Sequence, residues 1–158
     1  MPDTFEPSDP KNLLAIRTLS WNIIRDVAPD EELSAQKFTD RIVKAWEEGK
    51  LIPARADATN TGGLGNIDLV LLVVIPVVIA VLEELGRRLE TSNLDALKQW
   101  VKEKEANKNE ALKIIDLAVE RDYKAINEKV KSKKARSKER TAKQAIKVHL
   151  KKLLELLS

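Results

Sequence analysis

The chain has 158 residues, 43% hydrophobic and 34% charged, with 28 Lys/Arg against 25 Asp/Glu and a net charge of +3. That length and balance fit one ordinary domain or two very small ones, and they exclude a collagen-like chain, a disulfide scaffold and wholesale disorder. With no cysteine and one histidine, His149, thiolate chemistry, cysteine-based zinc sites and multi-histidine metal centres are excluded as well.

The net charge hides a division. From Met1 to Gly86 there are 8 Lys/Arg and 14 Asp/Glu, a balance of −6; from Arg87 to Ser158 there are 20 and 11, a balance of +9. All five glycines and all six prolines fall at or before Gly86. Composition alone therefore separates an acidic, interrupted first half from a basic, uninterrupted second half.

Residues 1–53 read as an N-terminal arm followed by a helical hairpin. The acidic start lacks the basic and apolar regions of a secretory signal. Asp9-Pro10 is a helix start, with an acceptor side chain at N-cap and proline at the first helical position. Leu13, Ile16, Leu19, Ile23 and Val27 follow at helical spacing, with Trp21 and Ile24 widening the stripe, and Pro29 ends it. A second helix starts after Asp30-Glu31-Glu32 and carries Ala35, Phe38, Ile42, Ala45 and Trp46, with Gly49 as its C′ residue. Residues 54–66 (ARADATNTGGLGN) are expected to form a Gly-rich hinge. Gly62-Gly63-Leu64-Gly65 lacks the Gly-Lys-Ser/Thr of a phosphate-binding loop, so it is read as a hinge without a cofactor.

The segment 67–88 holds 14 consecutive apolar residues: Leu69, Val70, Leu71, Leu72, Val73, Val74, Ile75, Pro76, Val77, Val78, Ile79, Ala80, Val81 and Leu82. A helix of 16 residues from Ile67 to Leu82 spans about 24 Å. A bilayer core needs roughly 30 Å, so the run is short for a spanning helix. Pro76 is costly in the interior of a water-soluble helix and better tolerated in lipid. Two buried strands suit the Val/Ile content, but nothing else in the chain offers strands to complete a sheet. A third reading is a helix buried among apolar partners, within the chain or between copies. The leading expectation is a membrane-inserting helix.

Residues 89–158 read as long basic helices. Thr91, Ser92 or Asn93 caps a helix bearing Leu94, Leu97, Val101 and Ala106. A second stripe runs through Leu112, Ile115, Val119, Ile126 and Val130, broadened by Ile114, Leu117, Ala118 and Tyr123. Between Lys131 and Lys143 only Ala135 and Ala142 continue it, and Ile146, Leu150, Leu153, Leu154 and Leu157 restore it. From Lys129 to Lys152 there are 11 Lys/Arg and one acid, Glu139. Lys131, Lys133, Lys134, Arg136, Lys138, Arg140, Lys143, Lys147 and Lys151 are the candidate polyanion-binding residues. The same charges could instead form a solvated face or pair with the acidic first half. Nucleic acid is the less favoured polyanion, because no aromatic side chain in this stretch could stack on bases.

No catalytic constellation emerges. His149 has no second histidine as co-ligand. The pairs Glu31-Glu32, Glu47-Glu48 and Glu83-Glu84 point to different helix azimuths and read as solubilising or helix-starting charges. Trp21, Trp46 and Trp100 read as core anchors.

The Leu19-Ser20-Trp21 and Val27-Ala28-Pro29-Asp30-Glu31-Glu32 helical pair, the Gly-rich stretch and the run from Leu69 to Leu82 together resemble small effector-associated components of bacterial conflict systems. The resemblance covers about the first 90 residues, is one of layout, and transfers no catalytic residue. It implies a non-enzymatic role in membrane disruption or complex assembly. The expected protein is all-α, cytoplasmic and membrane-associated, without cofactor, homo-oligomeric, and partnered by an anionic membrane surface or a protein. The alternatives are a soluble helical interaction or scaffold module with the apolar helix as its core, and a nucleic-acid-binding helical protein.

Overall fold

The computed structural model describes residues 5–50, 69–91 and 93–157, which form seven α-helices and no strand. These are α1 (Pro10–Val27), α2 (Glu32–Glu47), α3 (Leu71–Leu89), α4 (Leu94–Glu103), α5 (Glu105–Val130), α6 (Lys133–Ser137) and α7 (Glu139–Leu157), with a 3-10 turn at Pro29–Glu31. The expected hinge lies outside the described residues. One apolar core runs from Phe5 to Leu154 and draws on every helix, so the compositional break at Gly86 is not a break in the core.

Local chemistry sets most helix ends. Asp9 accepts a hydrogen bond from the Lys11 N–H with Pro10 at the first helical position, as the sequence predicts. After α2, Gly49 takes φ +79°, its N–H bonds to the Trp46 carbonyl, and the Lys50 N–H bonds to the Ala45 carbonyl. That pair of bonds is a Schellman closure, and the left-handed residue inside it is best served by glycine. Of the three cap candidates before α4, Asn93 fills the role, accepting from the Ala96 N–H at 2.9 Å. One expectation fails here. Lys104 is extended, so the stripe through Val101 does not continue to Ala106, which is exposed at the start of α5.

The apolar run becomes the centre of the bundle. Helix α3 packs on α1, α2 and α5 and also touches α4 and α7. Twelve of the fourteen residues from Leu69 to Leu82 are buried, and Leu69 and Ala80 are half-buried against the core. Pro76 sits inside the helix without ending it. It withdraws one N–H from the ladder, a penalty of about 3 kcal/mol. Each fully buried Val, Leu or Ile side chain returns about 1.5–3 kcal/mol, so the surrounding run outweighs it. No helix among the described residues is long and apolar enough to cross a membrane.

Val70, the N-cap residue of α3, makes no side-chain cap hydrogen bond. Glu31 supplies one from the turn before α2: its Oε1 accepts from the Leu71 N–H at 3.0 Å, and the residue is 1% exposed. At the other end, Gly86 is enclosed. A Cβ added there would lie 2.7 Å from the Thr91 carbonyl oxygen and 2.9 Å from the Phe5 Cβ. Gly86→Ala is expected to destabilise the bundle by about 1–3 kcal/mol through overcrowding. A denaturant titration in which Gly86→Ala matched the wild type would contradict this close approach.

Candidate interaction surfaces

The nine predicted polyanion-binding residues divide into two sets. Five are engaged within the protein. Lys134 pairs with Asp30 at 2.8 Å and with Glu31 at 2.7 Å, so one side chain ties α6 to the cap of α3. Its hydrogen bonds to these two carboxylates hold the Lys134 ammonium pKa above its ordinary value. Lys138 donates to the Val27 carbonyl at 2.9 Å, satisfying an orphan acceptor at the end of α1. Lys143 and Lys147 both reach Glu120 of α5, at 3.0 and 2.8 Å, and Lys151 reaches Asp116 at 2.8 Å. The Glu120 carboxyl is lowered by hydrogen bonds from Lys147 and Lys143.

The other four, Lys131, Lys133, Arg136 and Arg140, are exposed and make no ion pair among the described residues. They lie consecutively along the end of α5, α6 and the first turn of α7. Lys131 adopts the left-handed conformation at φ 57°, closing α5 with a bond from its N–H to the Asn127 carbonyl. Ser132 then caps α6, accepting from the Ala135 N–H at 3.0 Å. Ala135 and Ala142, the only apolar positions predicted in this stretch, are both fully buried, and the Tyr123 hydroxyl donates to the Ala135 carbonyl at 2.9 Å. The small residues let α6 lie close to the bundle while Lys133 and Arg136 stay exposed.

His149 is half-buried, with Nε2 2.6 Å from Asp26 Oδ2, an interhelical contact between α7 and α1. Of the acidic pairs, Glu83 accepts from the Trp46 indole at 2.8 Å, and burial raises its carboxyl. Burial would also raise Glu84, but hydrogen bonds from Arg87 and Arg88, with the charges of Arg87 and Arg121, bring it down to about 2. These carboxylates lock helices together, a role beyond the solubilising one their sequence suggests. Among the described residues no group of three or more carboxylates and histidines is placed to hold a metal ion.

The Glu84 cluster carries a pH dependence. Its folded value lies below its ordinary one of 4.5, so its stabilisation is complete above about pH 5 and fades as the pH falls toward 2. Glu84→Gln is expected to flatten the loss of thermal stability across that window. An unchanged slope between pH 5 and 2 would remove Glu84 from the account.

Sequence reasoning missed an apolar groove of about 470 Å³ between α1 and α7. Its α1 wall carries Lys11, Leu14, Ala15, Thr18, Leu19 and Asn22, and its α7 wall carries His149, Lys152, Leu153 and Leu156, with Leu94 at one end. Both walls follow helical spacing. Leu14 is 62% and Leu156 83% exposed. Leu117, expected in the core, is instead 73% exposed on α5. Leu14 was a readable signal, since it lies outside the stripe that buries α1.

No protein family, curated protein or solved structure matches this chain.

Proposed function

We propose that this chain is a non-enzymatic helical module that docks on an anionic membrane surface through the corner formed by Lys131, Lys133, Arg136 and Arg140, with the apolar helix as its core. The observation behind this reading is the sorting of the basic segment. Five of its cations are engaged within the protein, whereas these four, all within ten residues of sequence, are exposed and make no ion pair among the described residues. Each cation near an anionic bilayer contributes about 1 kcal/mol, so four contribute about 4 kcal/mol, roughly a thousandfold in partitioning. On this reading the residues from Leu69 to Leu82 stay inside the bundle, and the effector role implied by the resemblance becomes recruitment to a membrane.

The test is co-sedimentation with vesicles of phosphatidylcholine alone or with phosphatidylglycerol added. Binding is expected only to the anionic vesicles, weakening with salt and lost in the K131Q/K133Q/R136Q/R140Q variant. K143Q/K147Q/K151Q, which touches interhelical pairs, is expected to lower stability while leaving vesicle binding within threefold. Equal binding to both vesicle types, or none to either, refutes the proposal. Salt-sensitive binding to a DNA duplex without vesicle binding would move the corner to nucleic acid.

A further inference from the structure

We infer that the α1–α7 groove seats one amphipathic helix of a partner protein, apolar along one face and flanked by carboxylates. This uses a different face from the basic corner and does not depend on it. Three observations support it. The α1 wall extends from Lys11 to Asn22, twelve residues with a rise of about 16 Å, which matches three turns of a docked helix. Such helices anchor through apolar residues at i, i+3 or i+4, and i+7, and Leu14 and Leu19 on one wall and Leu153 and Leu156 on the other offer apolar surface to receive them.

The second observation is charge. Lys11, His149 and Lys152 are the ionisable side chains that line the groove, and no carboxylate lines it. Lys11 and His149 are held by Asp95 and Asp26, whereas Lys152 is exposed and makes no ion pair among the described residues. An acidic flank on the incoming helix complements Lys152, and a basic flank is repelled by it. The third is the placement of Leu14 and Leu156 on opposite walls, both largely open to solvent. A helix about 10 Å across covers both at once, which a single acyl chain lying in the groove would not. A second copy docked groove to groove would bring another Lys152 and no lining carboxylate to meet the first, so charge favours an acidic partner.

The probes are two synthetic 14-residue helical peptides with leucines at i, i+3, i+7 and i+10, identical except that one carries glutamates and the other lysines on its flanks. Fluorescence anisotropy with the full chain is expected to show the acidic peptide binding at least tenfold more tightly, with the advantage shrinking as salt rises. Leu14→Ser and Leu156→Ser change exposed side chains, so their melting curves should match the wild type while binding falls about tenfold. Lys152→Glu should erase the preference for the acidic peptide. Leu117→Ser, on an exposed leucine outside the groove, should change nothing. Failure of the acidic peptide to bind, equal binding of the two peptides, or an equal effect of Leu117→Ser overturns the inference. A dimer in sedimentation that Leu14→Ser dissociates also overturns it, by giving the groove to a second copy.

Discussion

Replacing Val73 and Val78 together with aspartate is expected to unfold the bundle, with loss of the helical circular dichroism signal and of any cooperative melt. Both valines are fully buried on α3. A carboxylate placed there has no cation to meet it within the apolar cluster, and even a protonated acid without a hydrogen-bond partner costs about 1–3 kcal/mol. Two such sites, together with the lost packing, approach the 5–15 kcal/mol that holds a typical domain together. The wild type should be helical and melt cooperatively in the absence of lipid. A helical V73D/V78D protein whose vesicle association alone was lost would place these residues in a membrane and remove the bundle from the functional form.

The second large effect is expected at Glu31. Its side chain joins three segments distant in sequence: the turn before α2, the first N–H of α3, and Lys134 on α6. Glu31→Ala removes the cap and the Glu31–Lys134 pair, at an expected cost of about 3 kcal/mol. Glu31→Gln keeps an acceptor for the Leu71 N–H and loses only the ionic part, so it should cost less. A double-mutant cycle with Lys134→Met should give a coupling of about 1 kcal/mol or more. Additive behaviour in chemical denaturation would show that the two residues stabilise the fold separately.

How much of this was legible depends on the range of the interaction. Asp9-Pro10, Gly49 and Asn93 act within a few residues of themselves, so their roles could be read directly. Ala135 and Ala142 could be placed in the core because small apolar residues stood alone among lysines. The run from Leu69 to Leu82 shows the opposite case. Being apolar on every side, it carries no face to orient it, and lipid and a ring of helices satisfy it equally well on paper. Its surroundings were decided by α1, α2 and α5, up to about 50 residues away in sequence. The basic segment was ambiguous for a related reason. Lys147 and Arg140 look alike in sequence, yet Lys147 faces Glu120 and Arg140 makes no ion pair among the described residues, and only the packing of α5 against α7 separates them. Glu31 read as one of several helix-starting acids. Nothing local announced that its target was a helix beginning 40 residues later.

The position of α3 in the middle of the chain has a consequence during synthesis. Helix α5, its most extensive cover, is complete only at Val130, about 50 residues after Leu82. At 5–20 residues per second that is a delay of roughly 2–10 s. Until then, a fourteen-residue greasy segment has α1, α2 and, once Glu103 is added, the short α4 to hide behind. On the ribosome the segment is a natural client for a chaperone, and a ligand for whatever apolar surface reaches it first. The same residues that are hardest to expose in the finished protein are the ones most exposed while it is being made.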